Sequence, residues 1–157
     1  MRERREALEL RGVIQTFILE GVEARICTVE AVVLDRRTPR TTVVGLPDAA
    51  VRESIERVQA AMSALRIPYP DGRITVNLSP ASHRKEGPLY DLPIAIAIIL
   101  ASGLLDQSAA KRGSDCLIAG ELRLDGSLQA TPGAVAMADL ARKIGRSNVV
   151  LPLESAR

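Results

Sequence analysis

At 157 residues and 16.9 kDa the chain has the size of one domain, long enough for folding to remove roughly 70% of the unfolded surface from water. Lys+Arg 21 against Asp+Glu 19 leaves a net charge of +2, and Phe 1, Tyr 2 and no Trp leave few rings; this excludes a basic field that holds nucleic acid non-specifically and a single-strand binder built on stacked aromatics. Cys27 and Cys116 are far apart and His83 is the one histidine, which excludes a Cys/His zinc site and fits a reduced, cytoplasmic protein.

The first residues, MRERREALELRG, carry no apolar stretch of the secretory kind, and 1–12 is read as a flexible N-terminal extension. From Val13 the pattern turns to strands. VIQTFIL, a Glu20-Gly21 turn, ARICTVEAVVL, a loop over 36–40 and TTVV predict three strands in a meander. Gly45-Leu46-Pro47 stops the third, and Asp48 is a good N-cap. Val51, Ile55, Val58, Met62 and Leu65 recur at steps of four and three, one apolar stripe of a helix whose outer face carries Arg52, Glu53, Glu56 and Arg57. RITVNL after Asp71-Gly72 predicts a fourth strand.

The apolar run 92–101 alternates like a strand, but Pro93 fits the first turn of a helix and would break a central ladder. A helix apolar all round belongs in the core, and this one is about half the ~20 residues a membrane helix needs. CLIAG and ELRLDGSLQA predict a strand and a hairpin turning on Asp125-Gly126. Thr131 with Pro132 predicts the start of a third helix, with Val135, Met137, Leu140 and Ile144 inward, and NVVL closes the chain as a strand. The expected order is βββ-α-β-α-βββ-α-β, a two-layer mixed-sheet α/β domain over 13–157 with no linker inside it.

No G-x-x-x-x-G-K-[ST] and no G-x-G-x-x-G occurs, so this chain is expected to bind no nucleotide by itself. The cysteines read as small buried hydrophobes, and His83 as a solvated surface residue without a nucleophile beside it. Residues 83–93, HRKEGPLYDLP, join a strand to the buried helix. They read either as a capping loop, with Asp91 as cap and Lys85 and Glu86 solvated, or as a loop that meets a partner.

Five blocks carry a resemblance: Gly45-Leu46-Pro47-Asp48-Ala49-Ala50-Val51-Arg52-Glu53-Ser54, Arg73-Ile74-Thr75-Val76-Asn77-Leu78, Lys85-Glu86-Gly87-Pro88, Asp91-Leu92-Pro93-Ile94-Ala95, and Gly120-Glu121-Leu122 with Asp125-Gly126-Ser127-Leu128. In this order they resemble the N-terminal domain of magnesium-chelatase-subunit-like AAA+ proteins, the ComM-type competence family. The resemblance implies a ribosomal-protein-S5-domain-2-like fold, similar to the proteolytic domain of Lon. It also implies a following ATPase module, absent from this chain, that would use ATP and Mg. The implied partners are that C-terminal AAA+ module, neighbouring subunits of a ring and, through the full-length protein, DNA, in ATP-driven remodelling linked to competence; no membrane is implied.

Two function classes follow. A non-catalytic module would help a ring assemble or engage substrate. A Lon-like Ser/Lys peptidase would need a nucleophile and a lysine base, yet the matching positions hold Leu89 and Val135, both expected to be at least half-buried. Ser79 and Ser82 with Lys85 are the nearest substitutes. No catalytic, cofactor or metal residue is therefore assigned. Lys85, Glu86 and Tyr90 are the candidate interface, so a double alanine change at Lys85 and Glu86 is expected to spare the melting temperature while weakening assembly. Arg36, Arg37 and Arg40 are the candidate nucleic-acid contact, with Asp35 beside them.

Overall fold

The computed structural model describes residues 11–35 and 38–156. The expected extension falls almost wholly outside these residues, as do Arg36 and Arg37, but the first strand already begins at Arg11. Strands β1 (Arg11–Glu20) and β2 (Glu23–Asp35) form an antiparallel hairpin in unbroken register from Arg11↔Val32 to Glu20↔Glu23. Next, β3 (Arg40–Val44), α1 (Ala49–Ala64) and β4 (Arg73–Ser79) make a β-α-β unit in which β3 and β4 are parallel. The meander is corrected here. β4 inserts between β3 and β2, because a helical crossover returns the chain parallel to the strand it left; β-branched composition shows that a strand forms, not which partner it takes.

A 3₁₀ turn (Pro88–Tyr90) leads into α2 (Asp91–Ala101), then α3 (Gln107–Ser114), β5 (Cys116–Ile118), β6 (Glu121–Leu122), β7 (Leu128–Gln129), α4 (Ala134–Lys143), β8 (Asn148–Val150) and a last 3₁₀ turn (Leu153–Ala156). The main sheet has the order β3-β4-β2-β1-β5-β8, with β6 and β7 as a separate hairpin. The pairings leave β2 alone running against the other strands of this sheet.

Along β1, Gly12 and Ile14 face α2 and α3, where a Cβ on Gly12 would lie 1.9 Å from the Ala97 carbonyl oxygen and one on Gly113 would lie 3.0 Å from Ile14 Cδ1. Phe17 and Leu19, on the other face, meet the start of α4 at Gly133. Over β1 and β2 the domain therefore has three layers rather than the two expected. α1 buries Val51, Ile55, Val58 and Met62 as its stripe predicts, and Asp48 caps it with Oδ1 accepting from Val51 N at 2.8 Å. Leu65 falls at the C-cap and stays 54% exposed.

α2 confirms the buried helix at the centre. Ile94, Ile98 and Leu100 are buried, and Ile96 and Ile99 are half-buried against the same core. Truncation of Ile98 to alanine should cost about 2–5 kcal/mol, against a few tenths at exposed Glu56; urea unfolding of the two variants measures the contrast.

Three local readings change. The helix α3 escapes the apolar pattern because its sequence, QSAAKRGS, offers only alanines to the core; its signals are Asp106, which accepts from Ala109 N at 2.8 Å, and Lys111 with Arg112 in the last turn. The Asp125-Gly126 pair sits within a longer loop, 123–127, with Gly126 at φ 86°; Gly126 N–H donates to the Arg123 oxygen and Arg123 N–H to the Ser127 oxygen. That is a longer hairpin loop closed by a left-handed glycine rather than a two-residue turn. α4 starts after left-handed Gly133, not at Thr131, which is buried and donates its backbone N–H to Ser155 Oγ at 2.9 Å.

Candidate interaction site

The loops that follow β3 and precede α2 are built as one piece. Gly45 (φ 105°) passes so close to β4 that a Cβ would lie 2.0 Å from the Leu78 carbonyl oxygen, and only glycine fits both constraints. Leu46 follows at φ 56° and is 55% exposed, a conformation costly for a large side chain. Lys85 N–H donates to the Leu46 oxygen at 3.1 Å and Asp48 N–H to the Lys85 oxygen at 3.0 Å. Asp48 Oδ2 accepts from Gly87 N at 3.1 Å while Oδ1 caps α1, so one carboxylate fastens both loops.

Lys85 is fully buried, its Nζ donating to the Gly45 carbonyl at 2.8 Å and to the Pro80 carbonyl. Burial pushes its pKa down. The solvated reading of Lys85 is thus corrected, and with it the expectation that its loss spares stability. Tyr90 is also buried, at 1% exposure, and its hydroxyl pKa is raised by desolvation. Of the three candidate interface residues, Glu86 alone projects into solvent, beside Arg84 at 3.3 Å.

Asp91 is not a helix cap. It is the first residue of α2, completely buried, and it accepts from Ser54 Oγ at 2.5 Å, Arg57 Nε at 2.6 Å, Arg57 Nη2 at 3.0 Å and Leu122 N at 3.1 Å. Arg57, expected on the outer face of α1, turns inward to make this pair; the hydrogen bonds to Asp91 push its pKa further up. Gly120 completes the joint, donating to the Leu89 carbonyl and accepting from Leu92 N, each at 3.0 Å. Sequence reasoning missed Ser54, Arg57 and Leu46 as members of this site. The signal lay in Ser54 and Arg57 flanking the buried stripe at Ile55 and Val58, and in an acid placed directly before an apolar helix.

The remaining candidates are dispersed. Leu89 is 3% exposed, whereas Val135 is 85% exposed, contrary to expectation, because two residues before buried Met137 is roughly the opposite side of α4; Ile144, also expected inward, falls at the C-cap and is 41% exposed. Ser79 is half-buried and Ser82 exposed. His83 is paired rather than simply solvated: its Nδ1 lies 2.8 Å from Glu20 Oε1, and Arg25, donating to Glu20 Oε2 at 2.7 Å, holds the Glu20 carboxyl below its usual range. Cys27 is buried and its thiol pushed up to about 12 by desolvation. Cys116 is half-buried, with Sγ donating to the Arg112 carbonyl at 3.3 Å. Arg40 is exposed at the far end of the sheet, its N–H bonded to the Gly72 oxygen at 3.1 Å.

Most of the residues so joined lie in the sequence blocks quoted above; Arg57, Pro80 and Leu89 lie outside them. Residues 29–155 match the family model described as subunit ChlI of Mg-chelatase. The chain belongs to the ChlI family. Within it, the chain is 41% identical over 139 residues to YifB of Escherichia coli K12, covering 88% of this chain and 27% of that protein. It is also 41% identical over 130 residues to the competence protein ComM of Haemophilus influenzae, covering 83% and 25%. A Mycobacterium tuberculosis relative, Rv2897c, is 34% identical over 137 residues, covering 87% and 26%. This ChlI-family chain spans about a quarter of the length of the curated relatives it matches. Among the described residues no helix is long and apolar enough to cross a membrane.

Proposed function

We propose that this chain is the non-catalytic N-terminal module of a ComM-type AAA+ ATPase, with a fold of the S5-domain-2 and Lon kind, and that it docks against its own ATPase module or a neighbouring subunit during ATP-driven DNA remodelling in the cytoplasm. ATP and Mg belong, in this reading, to the ATPase module. The observation that carries it is the use made of the loop where a Lon-like peptidase would hold its nucleophile. Lys85 is spent on two carbonyls and Leu89 on the core, and what reaches solvent is Leu46 in a strained conformation, with Arg84 and Glu86. Rigid display of an apolar residue beside charges suits contact rather than hydrolysis.

The test uses a longer form carrying the ATPase segment. Leu46→Asp combined with Glu86→Arg should lower assembly mass in light scattering and slow DNA-dependent ATP turnover by tenfold or more, with the melting temperature of the 157-residue chain unchanged. Normal assembly and turnover would overturn the docking role.

A further inference from the structure

The main sheet ends in two edges of different kind. Along β3 the Arg40 N–H bonds to the Gly72 oxygen at 3.1 Å, in a parallel ladder that sets Arg40, Thr42 and Val44 against Arg73, Thr75 and Asn77. A parallel strand directs both backbone groups of alternate residues to the same neighbour. Arg40, Thr42 and Val44 therefore face β4, while the N–H and C=O of Thr41 and Val43 point out of the sheet, where among the described residues no backbone group pairs with them. At the opposite edge Val150 accepts from Ala119 N at 3.0 Å, so β8, three residues long, turns only Val149 outward. Very short strands, lysines, prolines and bulges blunt an exposed edge. β8 is short, whereas the five residues of β3, RTTVV in unbroken register, have none of these guards.

The open stretch of β3 is closed at both ends. Pro39 has no N–H to offer, and Gly45, whose φ of 105° leaves the extended region, has its carbonyl on Lys85 Nζ at 2.8 Å. What lies between is complementary to itself. Two copies of β3 placed antiparallel about a twofold axis at Thr42 set Thr41 of each opposite Val43 of the other, and both pairs exchange N–H and C=O. A register centred on Thr41 would put Val43 against Pro39, which cannot donate. One centred on Val43 would put Thr41 against Gly45, whose oxygen is taken. The surviving register also suits the side chains. Thr42 meets Thr42 across the axis, a favourable cross-strand pair, and Arg40 lies beside Val44, which is 41% exposed, rather than beside the other Arg40. The two arginine positions are then about 13 Å apart along the strands, beyond the screening length at physiological salt. A copy of the chain also brings a strand already held extended by β4, so pairing orders nothing new, whereas a loose peptide gaining the same two pairs would lose its chain entropy.

We infer that β3 is a self-association edge: two copies of this chain join through antiparallel β3 strands centred on Thr42, making one continuous sheet of the two six-stranded ones. The contact goes beyond the function proposed above and does not rest on it. A twofold contact uses the same strand on both copies and joins pairs only, so it is separate from the docking of a module on its ATPase.

Sedimentation equilibrium of the 157-residue chain, from micromolar to millimolar concentration, reads the dimer. Thr42→Lys and Thr42→Glu each set like charges against one another at the axis and should each weaken the dimer about tenfold or more. An equimolar mixture of the two should restore it, because lysine then faces glutamate. Thr42 is half-exposed, and circular dichroism checks that each variant is folded. Val149→Lys, at the other edge, should leave the dimer unchanged. As a second readout, Thr42→Cys in a Cys116→Ser background should form an intermolecular disulfide on oxidation, since a non-hydrogen-bonded antiparallel pair holds its Cα atoms about 4.5 Å apart; Val149→Cys in the same background should not. The assignment falls if the chain is monomeric at millimolar concentration, if Val149→Lys dissociates the dimer as Thr42→Lys does, or if mixing the two Thr42 variants fails to restore it.

Discussion

Asp91→Ala should lower the stability of the domain by about 3–5 kcal/mol, the range for removing one partner of a buried ion pair. In thermal unfolding that is a fall of about 10 °C for a chain of this size. The change strands three groups at once: the Arg57 guanidinium, the buried Ser54 hydroxyl and the Leu122 N–H. The magnitude separates this role from the capping role read from the sequence, because loss of an N-cap costs about 1 kcal/mol. Asp91→Asn, which keeps an acceptor and the shape, should cost less. Pairing Asp91→Leu with Arg57→Met should recover part of the loss, since no charge is then left unmatched. A loss near 1 kcal/mol for Asp91→Ala would mean that the pair contributes little beyond a helix start.

Lys85→Ala should be the second most damaging change, at about 3 kcal/mol, combining two carbonyls left without a donor and the volume of the lost stem. Lys85→Met fills the volume without burying a charge and should be milder. The wild type differs from either variant in pH dependence, with a definite sign. Burial lowers the Lys85 pKa from its ordinary 10.5, so between the lowered value and 10.5 the unfolded chain binds the proton more strongly than the folded one. Over that interval this group's contribution to stability rises with pH, by at most about 1.4 kcal/mol per unit; below it the cost of the buried charge is present in full. Stability of the wild type relative to Lys85→Met, from denaturant titrations at alkaline pH, should therefore climb. A flat difference would place the ammonium in water.

What the sequence made legible was whatever depends on local periodicity and on backbone chemistry. The stripe from Val51 to Met62 with its Asp48 cap, and Pro93 deciding for a helix over 92–101, are local facts, and the structure agrees with them. The partner of β3 was not legible, because alternation fixes the faces of a strand but not its neighbour. Nor was the burial of Lys85: a lysine between His83-Arg84 and Glu86 reads as solvated, and only the approach of the Gly45 and Pro80 carbonyls from neighbouring loops gives its ammonium somewhere to go. The same holds at Asp91, whose role is set by Arg57 and Leu122, each more than thirty positions away. Val135 failed for a smaller reason: its spacing of two from Met137 puts it on the opposite side of the helix from Met137, Leu140 and Ala141.

The position of β1 between β2 and β5 bears on how the chain is made. Its hairpin with β2 is complete once residue 35 has left the ribosome, but its other edge waits for Leu117, the partner of Gln15, roughly eighty residues later in synthesis. At about 5–20 residues per second that edge stands open for about 4–16 s, a strand with unpaired backbone groups and apolar Ile14, Phe17 and Ile18 on its two faces. Newborn chains are thus most prone to pair with one another in the stretch of translation between β2 and β5, and a chaperone that shields the β1 edge acts in that window.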